Sequence, residues 1–550
     1  MRHLAAVKDP YDSMFRLRLC SSLLLAAGVT SFSTLAHAQQ QPGDTSAPVV
    51  PGATVTSPPP PVLAPLPARS PSLQTTQTSG GTTTTTPTEA PPTDRTTVGP
   101  STRATDSLQA TEKVDAPQSA AGGRFEFGSY GRVQVASDLR GGTGQPANVV
   151  SHGTRIDEDS YAELELRRED DFAHGIHTKV VATLALFAPF FHFNGQETQS
   201  LAVRNLYAQA QYGKLTMWVG SRMYRGDDIY LLDWWPLDNQ NTYGGGLGWN
   251  FDDKNSVAIH AGMTRLDDPT YQYQQIQVVA PFGSGVTNVT TLDRPRIVES
   301  AKYTHLIIPR GQTAGVKLVA YGEGHEISAG TTTDTVTNTQ QALPSDWGFM
   351  VGGEAAFFTG KRDTFLQIFL RHARGLAAYD PLSTPTTFGQ DKTTQGANET
   401  VLAIGGNYEK DWFGILVGGY VRFFRDASAS QTSLQKYDEG TMVLRPQVYI
   451  GDHWGVAVEG SYQERRYAET VDTSNTALVA SEWRAGVIPY FSPAGRGSYK
   501  RPQFRLLYAV TARNEGAREL YAPQDVFAQR AVEHYAGVGV EWWFNSSSYP

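Results

Sequence analysis

From Arg124 to Phe544 the chain changes character at every second residue, and that period restricts what it can fold into. In FEFGSYGRVQVAS, Phe125, Phe127, Val133 and Val135 share one face, and Glu126, Tyr130, Arg132 and Gln134 share the other. In YAELELRRE, Ala162, Leu164 and Leu166 oppose Tyr161, Glu163, Glu165 and Arg167. Successive side chains of a β-strand point to opposite faces, so alternation bounded by turns reads as strand. Comparable runs occupy 177–187, 203–212, 215–222, 257–263, 315–321, 364–371, 414–423, 443–449, 455–462 and 504–511. The expectation is an all-β chain.

What lies ahead of this block decides which kind of β structure it is. Arg16-Leu17-Arg18, an apolar stretch from Leu19 to Val29, and Ala36-His37-Ala38 form a secretory signal spanning 1–38, with Met14 an alternative start. The chain's one cysteine, Cys20, falls inside it, so the exported chain is expected to carry neither disulfide nor thiolate metal site. No apolar run is long enough to cross a bilayer as a helix. Residues 39–120 hold 15 of the 32 prolines and no Phe, Trp or Tyr. Such a segment buries too little apolar surface to offset its ordering entropy, so 39–123 is expected to be a disordered Pro/Thr-rich tether. A plain linker is the simpler reading of it, and cell-wall contact the other. The net charge of −8 gives no reason to expect a nucleic-acid partner.

An exported β domain is either a soluble sandwich, with its polar face in bulk water, or a transmembrane antiparallel barrel, with its apolar face in lipid and its polar face lining a channel. Ionised groups and Tyr130 share the polar face of the first strand, and the last run ends in Trp542-Trp543-Phe544, an aromatic finish suited to a membrane interface. Connections alternate long, short, long, short: 138–159, 169–175, 188–202, then Gly213-Lys214. That is the rhythm of external loops and periplasmic turns. The barrel is therefore assigned to 124–544, with a short tail at 545–550. Eighteen strands leave about 23 residues for each strand with its connection and sixteen leave about 26, so length does not choose between them.

One segment stands apart. WVGSRMYRGDDIYLLDWWPLDNQNTYGGGLG, from Trp218 to Gly248, starts as a strand, then interleaves arginines and aspartates with Tyr224, Tyr230, Trp234, Trp235 and Tyr243, and closes on a glycine run. Charges beside flat rings suit a solute with hydroxyls on its edge and C–H groups on its faces, as a sugar has. An exposed loop packed on its neighbour is the plainer alternative. In chain order this segment belongs to the third external loop, which is expected to fold inward.

Taken in order, GSYGRVQV, RIDEDSYAELEL, VRNLYAQ with WVGSRMYRGDDIYLLD, and the closing EWWF resemble the maltoporin family of outer-membrane sugar channels, trimers of 18-stranded barrels. The resemblance spans about Phe125 to Phe544. It implies facilitated diffusion of malto-oligosaccharides or related glycosides along an aromatic slide beside a polar track, in the outer membrane, with lipid around the barrel, two further copies of the chain as partners and no cofactor. By resemblance Tyr130, Tyr161 and Trp543 are slide residues. Arg132, Arg155, Glu163 and Arg204 belong to the polar track, and Asp228 and Asp233 match acidic residues of the third loop. Trp235 falls where the family has a constricting tyrosine, and Gly226 where it has an arginine. Gly226→Arg is accordingly expected to shift preference toward malto-oligosaccharides. Strict alternation would put Arg204 on the face of Leu206 and Ala208, so it needs a bend or a position above the bilayer. The slide residue donated by a neighbouring subunit has only Phe191 or Phe193 as candidates.

Other classes find less support. There is no G-x-S-x-G elbow, and His325-Glu326 lacks the second histidine of a zinc helix. Asp157-Glu158-Asp159 could attract a cation, although external loops often bear such clusters. The nearest competitor is a general diffusion porin for small hydrophilic solutes and ions. It would share the barrel but has no use for aromatics beside lumen charges.

Overall fold

A computed structural model of the chain describes residues 123–187, 200–264, 272–275, 289–333, 339–359, 364–380, 385–428, 435–467 and 477–546. The signal, the tether, Phe191, Phe193 and the last four residues lie outside the described residues.

Eighteen strands form one antiparallel sheet. They are β1 (Arg124–Ser137), β2 (Tyr161–Phe172), β3 (Ile176–Phe187), β4 (Ser200–Tyr212), β5 (Leu215–Arg225) and β6 (Asn239–Asn250). Next come β7 (Asn255–Thr264), β8 (Arg296–Ile307), β9 (Gly315–Ile327), β10 (Asp346–Phe358), β11 (Phe365–Gly375) and β12 (Asn398–Glu409). The last six are β13 (Phe413–Arg425), β14 (Tyr437–Ile450), β15 (Trp454–Tyr467), β16 (Val479–Phe491), β17 (Gln503–Arg513) and β18 (Val532–Phe544). Each pairs with its sequence neighbours, and β1 pairs with β18 from Ser129↔Phe544 to Ser137↔Ala536, which closes the barrel. Closure removes every free edge, a requirement for backbone in hydrocarbon.

The period-two pattern sorts the wall as expected. Along β2, Leu164 and Leu166 face outward while Glu163 and Glu165 are buried inside. At the barrel seam Trp542 lies outside, its ring over Gly131 and its Nε1 donating to Ser129 Oγ at 3.0 Å, and Phe544 packs against Phe127 at 5.8 Å. A side chain at 131 would collide with that ring, since a Cβ there would lie 2.2 Å from it.

Two expectations change. The segment opening at Trp218 is loop only over 226–238. Its glycine run belongs to β6, where Gly244 to Gly246 pair with Gly220 to Trp218 on β5. Strands β6, β8, β10, β12 and β16 also escape the alternation reading, because their inner faces are not uniformly polar. In β12 the inward Glu399 is followed by inward Val401 and Ala403, so apolar residues occupy both faces.

Candidate solute-binding site

The site follows from barrel closure. Because β1 pairs with both β2 and β18, Tyr130 stands opposite Glu163 on one side and Trp543 on the other, while Arg132 stands opposite Tyr161 and Glu541. The three rings therefore meet across the seam. Tyr130 lies 6.0 Å from Tyr161 and stacks on Trp543 at 6.5 Å with planes 17° apart. Arg132 lies over Tyr161 at 5.5 Å and Arg204 over it at 5.1 Å, cation–π distances in both cases. The Tyr161 hydroxyl donates to Glu163 Oε1 at 2.5 Å, and Arg204 Nε sits 3.5 Å from that oxygen.

Arg204 reaches the lumen by a β-bulge. The β3–β4 register shifts so that Thr183 pairs with Asn205 but Leu184 with Val203, leaving Arg204 as the extra residue. The bulge supplies the bend that strict alternation demanded, and Leu201, Val203 and Leu206 all keep their outward positions.

Two external loops descend onto this wall. Loop 1, residues 138–160, brings Arg155, whose Nη2 donates to the Tyr130 hydroxyl at 2.7 Å while Arg132 Nη1 donates to the same oxygen at 2.9 Å. Glu158 pairs with Arg155 at 2.8 Å and Arg132 at 3.3 Å, and Asp157 with Arg484 at 2.7 Å. Those acids of the Asp157-Glu158-Asp159 cluster thus face arginines. Loop 3, residues 226–238, brings Asp233, held in the left-handed region at φ 47° with Oδ2 3.5 Å from Arg132. Burial pushes the Glu158 carboxyl up to about 7 despite both arginines. Burial and the neighbouring Asp233 push Asp228 up to about 7 as well. For Asp233 burial acts upward, but Arg155, Arg132 and Arg225 outweigh it and hold the carboxyl below its ordinary range.

Of the residues singled out in the sequence, Tyr130, Arg132, Arg155, Tyr161, Glu163, Arg204, Asp233 and Trp543 form one contiguous network, and Asp228 joins it through charge. Trp235 lies under Arg225, whose guanidinium carbon is 3.6 Å from the ring centroid. Its neighbour Trp234 makes the crossing. That ring stacks on His152 of loop 1 at 4.3 Å and meets Tyr420 of β13 at 5.0 Å.

Loop 3 is seated on the far wall in notches that alternation could not reveal. Ile229 lies over Gly405 and Gly418, where a Cβ would come within 3.3 Å and 2.9 Å of it. Gly226, at the neck of the loop, also has a structural role. A Cβ there would lie 2.8 Å from Asp238 Cβ, so an arginine at 226 would spread the neck before it reached the pore. The expectation that Gly226→Arg simply retunes sugar preference is revised accordingly.

Tyr230 is the residue whose importance sequence reasoning missed. Arg155 packs over its ring at 4.7 Å, and its hydroxyl donates to Glu541 Oε2 at 2.8 Å. Glu541 in turn pairs with Arg155 at 3.3 Å, Arg501 at 2.8 Å and Arg505 at 2.5 Å. The available signal was for Glu541 alone, which shares the inner face of β18 with Trp543.

The profile of the LamB porin family matches residues 125–544. No curated protein matches the sequence. Among solved structures, the fold is similar to Pseudomonas aeruginosa OpdL, at 11% identity over 77% of this chain and 99% of that chain, with a TM-score of 0.37. Pseudomonas aeruginosa OccK2 (OpdF), solved in complex with glucuronate, gives 12% over 76% and 98%, with a TM-score of 0.38. Acinetobacter baumannii OccAB1 gives 11% over 79% and 99%, with a TM-score of 0.39. A family match over nearly the whole barrel, on a wall apolar outside and charged inside, makes this chain a member of the LamB porin family and a diffusion channel of the outer membrane.

Proposed function

We propose that the channel conducts sugars, malto-oligosaccharides or related glycosides, by facilitated diffusion past the seam of the barrel. The observation that carries this reading is a pair of unsatisfied polar atoms beside the rings. Among the described residues, Trp543 Nε1 and Glu163 Oε2 are buried there without a hydrogen-bond partner. Buried polar atoms rarely stay unpaired, and a donor and an acceptor flanking stacked rings complement a sugar's hydroxyls and C–H faces. Hydrogen bonds to charged groups contribute ~1.5–3 kcal/mol each, enough to offset dehydration yet weak enough to exchange stepwise. Conduction favours several such modest sites over one deep well.

A general pore for small hydrophilic solutes is the second reading. Its support is the depth of Tyr130, whose ring is only 1% exposed beneath Arg155, so a sugar must first displace that arginine. Planar-bilayer recordings with maltotriose and sucrose separate the two. Current blockade that saturates with sugar concentration is the expected result, and blockade that never saturates would sink the sugar reading. The channel is further proposed to work as a homotrimer with the tether as a periplasmic linker. The expected outcomes are a native mass of three chains in mild detergent and an intact barrel after removal of 39–120.

A further inference from the structure

We propose that the periplasmic turn between β16 and β17, residues 492–502, is a second constriction of the channel, entering from the periplasmic end and setting passage through Tyr499. The proposal rests on the channel reading and is independent of which solute passes.

The turn differs from the other connections at that end. Those are short, the longest being 308–314. Residues 492–502 instead run sideways under the barrel and then up into it. Arg496 pins the tip to two neighbouring turns, donating from Nε to Gly451 O at 2.7 Å and from Nη1 to Asp411 O at 3.1 Å, and pairing with Asp452 at 2.9 Å. Gly497 then takes φ 136°, a conformation side chains resist, and turns the chain inward. Ser498 is bound at the β12 wall: its N donates to Glu409 Oε1 at 2.9 Å and its Oγ to Asn407 Oδ1 at 3.0 Å. Beyond it, the Tyr499 ring stacks on Phe365 of β11 at 6.3 Å with planes 20° apart. The chain returns through Arg501, which donates from Nε to Glu541 Oε2 at 2.9 Å and lies over Trp543 at 4.1 Å.

The turn therefore forms a chord from the β16–β17 edge to the β11–β12 wall. Ser498, Tyr499 and Arg501 are all buried. Above the chord hangs loop 3, and the two touch where Tyr230 meets Tyr499 edge to face at 5.4 Å. Tyr230 thus joins three inward segments: loop 1 through Arg155, loop 3 itself, and the periplasmic turn through Tyr499 and Arg501. On the channel reading, a solute leaving the seam on this side meets Tyr499, whose neighbour Ser498 is bonded to Asn407 and Glu409. A turn that only braced the wall would leave conduction untouched when Tyr499 changed, so conductance distinguishes the two roles.

The test compares single-channel conductance in KCl for the wild-type channel, Tyr499→Ala and Tyr499→Trp, each confirmed as a folded barrel by its heat-dependent mobility in SDS gels. Tyr499→Ala is expected to raise conductance about twofold and Tyr499→Trp to lower it. With maltotriose, Tyr499→Ala should speed blockade more when the sugar is added on the periplasmic side than on the external side. Equal conductance in all three proteins would overturn the proposal. Should Tyr499→Ala fail to fold, Tyr499→Trp decides alone: lowered conductance supports the second constriction and unchanged conductance overturns it. A wild-type channel that no sugar blocks would end the sugar reading, while the conductance order would still decide the role of the turn.

Discussion

The two sides of the lumen are built on different principles. The seam wall, β18–β1–β2, presents chemistry: three rings, Arg132, Glu163 and Glu541. The opposite wall, from β10 to β13, presents absence, with Gly352, Gly405 and Gly418 receiving Leu237, Ile229 and Leu231 of loop 3. Above those notches runs an alternating chain in which Arg371 and Arg422 share Glu399, and Arg422 and Arg465 share Glu439. Loop 1 docks onto it, Ser151 N donating to Glu439 Oε2 at 3.1 Å. One wall thus gathers rings and charges, and the other is notched to hold the loops.

The far wall should give the largest effects. Trp234 is fully buried where loop 3 meets β13, and deleting such a ring costs ~3–5 kcal/mol of local packing. Trp234→Ala is expected to unseat the loop and raise ion conductance several-fold while the barrel keeps its heat stability. Gly418→Val should do the same more weakly, since overpacking costs ~1–3 kcal/mol. If both variants conduct like wild type, the far wall is not a seat and the comparison fails.

Next in size is the charge balance of the seam. Glu541→Gln leaves Arg155, Arg501 and Arg505 without their shared carboxylate, and breaking a buried pair costs ~3–5 kcal/mol at most where water is excluded. The reversal potential in a salt gradient should move toward anion preference. An unmoved potential would mean that the permeating ions avoid the seam.

Tyr130→Ala should weaken sugar blockade by about tenfold or less, the scale of one aromatic contact. Its effect on conductance should be small, because Arg155 and Glu158 still fill the space. Blockade unchanged by this variant would transfer solute recognition away from the seam.

Acidity offers a finer test. Glu158 and Asp228 titrate near 7, above the ordinary carboxylate range, and both stand close to Arg155. As pH falls from 8 to 5 each loses its negative charge, and the arginines remain charged. Anion preference should rise through that window and be flat above it. Glu158→Gln should flatten part of the change. Smallest of all, Trp235→Ala should raise conductance less than Trp234→Ala, because Trp235 packs under Arg225 rather than bridging the lumen.

The same contrast explains what could be read from the sequence. On the seam wall both faces of each strand keep their character, so Tyr130, Arg132, Tyr161, Glu163 and Trp543 are legible from alternation, and the maltoporin resemblance then supplies a use for them. On the far wall the inward residues of β12 include Val401, Ala403 and Gly405, the last lying under Ile229, and the period-two signal fades there. For β6, a glycine run that lets Trp218 lie flat against the wall looks like loop: a Cβ at Gly246 would come within 2.4 Å of the indole nitrogen. Tyr230 and the turn at 492–502 were illegible for another reason. Tyr230 meets Glu541 and Tyr499, hundreds of residues from loop 3, and no local pattern links them.

The bulge at Arg204 has a consequence for how such a channel is edited. Leu201, Val203 and Leu206 all face lipid, so excising Arg204 alone leaves an unbroken alternating ladder with every apolar residue in place. A substitution would leave a defect in the strand, whereas a one-residue deletion heals it. The guanidinium over Tyr161 is in effect an insert, added to the lumen without displacing any lipid-facing residue of the strand.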